Sequence, residues 1–194
     1  MPVSFFDVAS DYDIVVIAKA TLYDQLIKGM SDINKRLERV PEVMASEGRT
    51  LVFVPKSWTS VTKRFGVFTK TQEDSWWASV TVRNGESVYQ IIGCELETNS
   101  IHIRQRQLRE LANIREKEIP SFIACDSKIM RYQDERFEPP EGFSDAWISA
   151  GDMSNQFTRE GGRQDRVWFS NSKPLSYEII DFRRNTTGIG VEFI

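Results

Sequence analysis

The chain has 194 residues, of which 40% are hydrophobic and 27% are charged, and its formal net charge is −3. This composition is ordinary for a globular protein, and five Trp and twelve Phe argue against a disordered chain. No run approaches the roughly 18 apolar residues of a membrane span, so we expect no contact with a membrane. The length predicts one domain over residues 1–194, with an irregular excursion at about residues 131–166.

The N-terminus lacks a basic region followed by a long apolar stretch, so no secretory signal is visible. Cys94 and Cys125 are the only cysteines. Without a secretory signal, the favoured interpretation is two free, buried thiols, with a disulfide as the alternative. We therefore expect a cytoplasmic protein.

The first elements are predicted as strand, helix and strand. Residues 14–17 form a short apolar run that is typical of a buried strand. Apolar residues then recur at steps of three and four over residues 21–40, which predicts an amphipathic helix with Thr21 as its N-cap. Pro41 ends this helix, and residues 51–54 are predicted as the next strand.

From Ser75 the apolar residues alternate with polar ones, which indicates strands. The dipeptide Asn84-Gly85 predicts a two-residue type I′ hairpin turn, with Arg83 opposite Glu86. We expect residues 101–103 to continue this meander.

The second half is predicted to contain a helix over residues 105–117 and a buried strand over 121–125. Ser144 is a candidate cap for a short helix, and residues 175–182 and 189–193 are predicted to pair as a C-terminal hairpin. The predicted fold class is α+β, an antiparallel meander plus the C-terminal β-hairpin packed against two amphipathic helices.

Familiar catalytic motifs are absent from the sequence. His102 is the only histidine, and we predict a solvent-facing residue on a strand instead of a catalytic base. One His and two distant Cys cannot form an ordinary zinc site. No phosphate-binding loop, dinucleotide fingerprint or serine-hydrolase motif occurs. We therefore assign no catalytic residue, no metal ligand and no cofactor.

One short motif, an acid followed two residues later by a lysine, is compatible with a hydrolase. Asp126 and Lys128 are two residues apart at the end of a predicted strand, so one could hold Mg²⁺ while the other steadies a scissile phosphate. Glu116 or Glu118 would add a second ligand, although no acid on an upstream strand completes the set. The alternative is a pattern that arises by chance.

The most unusual stretch is residues 49–72, which has five basic residues and no acidic one. Aromatic residues are interleaved with these charges, and Trp58 is the candidate for exposed stacking. Arg104 and Arg106 could extend the same positive surface. The predicted partner-binding residues are Lys56, Trp58, Lys63, Arg64, Phe68, Lys70, Arg104 and Arg106.

These features lead to three hypotheses about function. The leading one is a non-enzymatic binding or assembly protein, either an inhibitor or immunity-type protein or a subunit of a larger complex or oligomer, that engages an acidic protein partner. The alternative is a nucleic-acid-binding protein, whose affinity would fall steeply with salt. The second alternative is a metal-dependent nuclease or hydrolase that uses Asp126 and Lys128.

Overall fold

A computed structural model describes residues 12–20, 35–40, 49–129, 138–151, 163–182 and 186–193. Two helices of at least one full turn lie in these ranges, α1 (Ile101–Ile114) and α2 (Ala146–Ala150). The strands are β1 (Val15–Ala20), β2 (Leu37–Val40), β3 (Arg49–Pro55), β4 (Thr59–Val67), β5 (Trp76–Asn84), β6 (Ser87–Glu95), β7 (Ser121–Asp126), β8 (Ser144–Asp145), β9 (Asp165–Ser170), β10 (Pro174–Phe182) and β11 (Thr186–Phe193).

The strands form three sheets. A six-stranded sheet has the order β4-β5-β6-β7-β9-β8, a three-stranded sheet has the order β1-β3-β2, and β10 pairs with β11. All neighbours are antiparallel except β6 and β7, which are parallel and are joined through α1. A parallel pair needs such a crossover connection. The carboxyl ends of β6 and β7 therefore lie side by side.

The six-stranded sheet is covered on both faces. One face packs against the three-stranded sheet through apolar side chains of β3, β5 and β6. The other face packs against α1, whose Leu108 and Leu111 meet Ile92, Ile123 and Trp168. The result is three layers, with the six-stranded sheet in the middle.

Gly93 on β6 sets the separation of the two sheets. A Cβ at this position would lie 2.7 Å from Cγ1 of Val16 and 2.8 Å from Cγ2 of Thr50. Only glycine permits this close approach without displacing the three-stranded sheet. The face of β6 that carries residues 93 and 95 is therefore the face that looks into the space between the sheets.

The predicted fold class was wrong. The protein is mostly β-sheet, with a six-stranded mixed sheet at its centre, and it is not a meander packed on two amphipathic helices. Residues 21–34 of the first predicted helix lie outside the described residues, but Leu37–Val40 at its end is strand β2. Pairing with β3 makes this segment a strand, although its apolar residues have the spacing of a helix.

Two further predictions also need correction. Residues 101–103 begin helix α1, because the Ser100 hydroxyl accepts a hydrogen bond from the backbone of Ile103 and caps the helix. His102 is therefore exposed on a helix and not on a strand. The hairpin exists, but Asn84 pairs with Ser87, so Gly85 at φ 60° takes the first turn position, as in a type II′ turn.

Other predictions are confirmed. The C-terminal hairpin forms, with Ile179 opposite Ile189. The predicted strands at residues 14–17, 51–54 and 121–125 correspond to β1, β3 and β7. Cys94 and Cys125 are both free and buried. Among the described residues, no helix is long and apolar enough to cross a membrane.

Candidate active site

Three carboxylates stand in a row across the middle sheet. Glu95 is the last residue of β6 and pairs with Asp126, the last residue of β7. Asp126 in turn pairs with Asp165, the first residue of β9. Paired residues on neighbouring strands project from the same face of a sheet. Glu95 is two residues after Gly93, so both lie on the face that looks toward the three-stranded sheet.

Lys128 completes this group, which we call the carboxylate–lysine cluster (Glu95, Asp126, Lys128 and Asp165). Its Nζ forms an ion pair with Asp126 and lies 3.2 Å from Oε1 of Glu95. Lys128 has a φ of 55°, in the left-handed region that is unusual for a residue with a side chain. From this position, one ammonium group reaches carboxylates on two strands.

Glu95 and Asp126 are buried, and hydrogen bonds of the adjoining backbone hold the strand ends that carry them. The side chains of Glu95 and Asp126 are 7% and 6% exposed. Ser127 donates hydrogen bonds from both its amide and its hydroxyl to the carbonyl of Gln164, at 2.6 and 2.7 Å. The amide of Leu96 donates to the carbonyl of Asp126. These bonds fix the ends of β6, β7 and β9 relative to one another.

The ammonium group of Lys128 stays charged in this setting. Burial by itself lowers the pKa of Lys128, but attraction first to Asp126 and then to Glu95 outweighs burial and raises the pKa above its ordinary value of 10.5. The cluster therefore combines several negative charges with one permanent positive charge at neutral pH.

The two thiols lie on the opposite face of the same strands. Cys94 and Cys125 are neighbours across β6 and β7 and belong to the core beneath α1. Burial raises the pKa of the Cys125 thiol well above its usual value, and a hydrogen bond with Cys94 and the charges of Asp126 and Asp165 add to this effect. A neutral, buried thiol is a poor nucleophile. These cysteines are therefore structural.

The magnesium site that the second alternative would place at Asp126 does not fit the structure. Mg²⁺ requires several oxygen ligands in octahedral geometry, whereas the ammonium of Lys128 already lies between the carboxylates of Asp126 and Glu95. Within the described ranges, no group of three Asp, Glu, His or Cys residues is placed to hold a metal ion. Glu116 pairs with Arg64 near the start of β7, at the end of the sheet away from Asp126.

The residues predicted to bind a partner do not form one exposed surface. Phe68 is 2% exposed and lies in the core. Arg104 is 1% exposed and donates hydrogen bonds to the carbonyls of Glu97 and Thr98. Trp58 is half-buried against the sheet, with its ring stacked 6.0 Å from that of Tyr89.

The cations among these residues are exposed, except Arg104. Lys63 forms an ion pair with Glu38, and Arg64 lies 3.7 Å from Oε1 of Glu116. Lys56, Lys70 and Arg106 are the other exposed cations. Of these, Lys70 lies in the loop between β4 and β5, at the same end of the sheet as Glu95, because Trp77 at the start of β5 pairs with Cys94.

Sequence reasoning missed Glu95 and Asp165. The sequence pattern predicts the return strand of the hairpin over residues 86–92, which ends three residues before Glu95, so no acid is expected at the end of that strand. The available signal was the order of strand, helix and strand over residues 87–126, which is typical of a parallel pair whose carboxyl ends meet. Asp165 gave no comparable signal.

A second charged group lies on the other face of β9. Asp145 accepts hydrogen bonds from Arg163 at 3.1 Å and from Arg166 at 3.2 Å, and it caps α2 through the amide of Trp147. The guanidinium of Arg163 stacks 4.3 Å from the ring centre of Trp147. We call Asp145, Arg163 and Arg166 the arginine–aspartate cluster. All three residues are buried.

Comparison with known proteins gives a clear result for structure only. No protein-family model matches the chain, and no curated protein matches it. Solved structures match over nearly its whole length. TDP2 from D. rerio, in a complex with a single-strand DNA product, has a TM-score of 0.80 and 14% identity, covering 96% of this chain and 88% of that one.

Two bacterial proteins match in the same way. The endonuclease/exonuclease/phosphatase from Bacteroides vulgatus has a TM-score of 0.77 and 12% identity, covering 97% of this chain and 87% of that one. The mannosyl-6-phosphatase from Bacteroides thetaiotaomicron has a TM-score of 0.69 and 13% identity, covering 97% and 90%. The chain shares the fold of these proteins.

These comparisons contradict the leading functional hypothesis. That hypothesis was a non-enzymatic inhibitor, immunity-type or assembly protein with an acidic protein partner. The proteins with the same fold include a phosphatase and an endonuclease/exonuclease/phosphatase instead. That hypothesis rested on the basic stretch at residues 49–72, in which Phe68 is a core residue and Lys63 and Arg64 pair with acids of the same chain.

Proposed function

We propose that this protein hydrolyses phosphate esters, and that its substrate is a single-stranded nucleic acid. The observation that supports this proposal is the carboxylate–lysine cluster at the carboxyl ends of β6 and β7. Ligands of open sheets commonly bind outside the carboxyl ends of parallel strands. Both the fold shared with nucleases and phosphatases and the DNA in the D. rerio TDP2 complex favour this substrate class.

The cluster contains the two kinds of group that phosphate-ester hydrolysis needs. A carboxylate can take a proton from a water molecule as its oxygen attacks phosphorus. The ammonium of Lys128 can stabilise the negative charge that develops on the phosphoryl oxygens. The ester bond to the leaving oxygen then breaks, and that oxygen takes up a proton.

Lys70 and Arg106 are proposed to contact the phosphates of the bound strand. Both are exposed, and the loop that carries Lys70 is tied to α1 because Gln107 donates a hydrogen bond to the Lys70 carbonyl. The double substitution Lys70→Glu with Arg106→Glu should raise KM several-fold while changing kcat little. It should also flatten the dependence of binding on salt, because fewer phosphate contacts release fewer counterions.

The direct test is a hydrolysis assay on a labelled single-stranded oligonucleotide and on a nitrophenyl phosphodiester. We expect Asp126→Asn to lower kcat by on the order of 100-fold or more, because the central group of the row is lost. Glu118→Gln is the matched control, since Glu118 is an exposed acid near the start of β7. The proposal fails if wild-type protein cleaves neither substrate, or if both variants have the same activity as wild type.

We further propose a cytoplasmic setting. Two free thiols that are adjacent on neighbouring strands persist most readily in a reducing compartment.

A further inference from the structure

The position of Lys128 has a consequence for how the carboxylate–lysine cluster works. Many nucleases and phosphatases use divalent metal ions to bind the phosphoryl oxygens and to stabilise the attacking water. Such ions bind to carboxylates at about 2.0–2.6 Å. Here the space between the carboxylates of two neighbouring strands holds an ammonium group of the chain itself.

A lysine and a divalent ion would compete for this space. The Nζ of Lys128 is already within ion-pairing distance of both Glu95 and Asp126. A metal ion bound to the same two carboxylates would face the ammonium charge at only a few ångströms, in a buried site where charges are poorly screened. We therefore expect the two cations to compete for the same pair of carboxylates.

The backbone also commits Lys128 to this position. Its left-handed conformation is one that few side-chain-bearing residues adopt, and the preceding Ser127 is fixed by two hydrogen bonds to Gln164. The backbone conformation and these two hydrogen bonds therefore hold the lysine beside the strand ends. Its side chain is 14% exposed, so it is not completely enclosed by the protein.

We infer that Lys128 is the resident cation of this site, in the place of a divalent metal ion. It holds Glu95 and Asp126 together and presents its remaining N–H donor to a phosphoryl oxygen of the substrate. The part of this inference that concerns hydrolysis rests on the proposed function, whereas the part that concerns metal binding does not.

The first experiment measures metal binding without reference to activity. Mn²⁺ is titrated into wild-type protein, Lys128→Gly and Lys128→Met, and bound ion is followed by electron paramagnetic resonance and calorimetry. Glycine suits the left-handed backbone and opens the space between the carboxylates, whereas methionine removes the charge but keeps the space filled.

We expect no stoichiometric Mn²⁺ binding to the wild type or to Lys128→Met, and one bound ion in Lys128→Gly that also raises its melting temperature. The inference is overturned if wild-type protein binds one ion that is lost in Glu95→Gln, or if folded Lys128→Gly binds none. If the Lys128 variants do not fold, titration of the wild type and of Glu95→Gln still shows whether a metal ion or Lys128 occupies the site.

The second experiment measures hydrolysis with and without a chelator. We expect wild-type activity to be unchanged by excess EDTA and to fall by at least an order of magnitude in Lys128→Met. Activity that requires added Mg²⁺ or Mn²⁺ overturns the inference and leaves the proposed function intact. A complete lack of activity under both conditions overturns the proposed function, and the Mn²⁺ titration then tests the inference by itself.

Discussion

The carboxylate–lysine cluster and the arginine–aspartate cluster lie on opposite faces of the same sheet, and they are built in opposite ways. In the arginine–aspartate cluster, one carboxylate serves two guanidinium groups and the first turn of α2. In the carboxylate–lysine cluster, one ammonium serves carboxylates on two strands. Guanidinium groups therefore outnumber carboxylates among the residues of the first cluster, and carboxylates outnumber the ammonium in the second.

Their surroundings also differ. Asp145 receives hydrogen bonds from α2 and from both sides of the β9 start, and Trp147 covers Arg163. Such a network fixes the position of a helix and leaves little access for a ligand. Glu95 and Asp126 instead lie at strand ends beside a loop that carries exposed Lys70. The difference fits a structural role for the first cluster and the hydrolytic role that we propose for the second.

Removal of Asp145 should have the largest effect on stability. Asp145→Ala leaves two buried guanidinium groups without their carboxylate, which costs about 3–5 kcal/mol, and it also removes the cap of α2. Urea denaturation should show this loss in the free energy of unfolding. Asp145→Asn keeps the cap acceptor but not the charge, so a smaller loss is expected. Equal losses in the two variants would show that the charge, and not the cap, is what matters.

Gly93→Ala should have the next largest effect. The added Cβ would overlap Val16 and Thr50, and overpacking of this kind costs about 1–3 kcal/mol. Because Glu95 lies two residues further along the same face, hydrolysis should also decline. Gly66→Ala is the matched control, since its nearest neighbour is a Trp77 ring atom at 3.3 Å. A similar cost at both positions would mean that close sheet packing behind the site is unimportant.

Much of the local structure could be predicted from the sequence, because it depends on nearest neighbours. The strands at residues 14–17, 51–54 and 121–125 and the C-terminal hairpin follow from short apolar runs and turn residues. The strand at residues 37–40 could not be predicted. Its apolar spacing is that of a helix, but pairing with residues 52–55 of β3 makes it a strand, and this pairing is not visible in the local sequence.

Only two of the four residues of the candidate site could be predicted from the sequence. Asp126 and Lys128 are close in sequence, so their proximity could be inferred from spacing alone. Glu95 and Asp165 join them through sheet pairing, and only the strand order brings them to Asp126. The ammonium position depends on the left-handed turn at Lys128, for which the residue type gives no hint.

The pH dependence of stability should distinguish the lysine from an ordinary surface charge. The pKa of Lys128 is raised in the folded protein, so its contribution is fully present below the unfolded value of 10.5 and is lost as the pH rises through the folded value. Wild type should therefore be more stable than Lys128→Met at neutral pH, and this advantage should shrink only in strongly alkaline solution. Melting temperatures of both proteins across this range check it. A difference that disappears below pH 10.5 would contradict a raised pKa.

The smallest effect is expected at the Lys63–Glu38 pair, which lies in the stretch that looked most distinctive in the sequence. These side chains are 30% and 28% exposed, and pairs in contact with solvent contribute about 0–1 kcal/mol. Lys63→Ala should therefore change the free energy of unfolding by less than any substitution above, and added salt should reduce the change further. A loss as large as that of Asp145→Ala would show that the Lys63–Glu38 pair belongs with the buried clusters. A small, salt-sensitive loss would show that position in the sheets, and not charge density along the chain, determines which ionic groups matter.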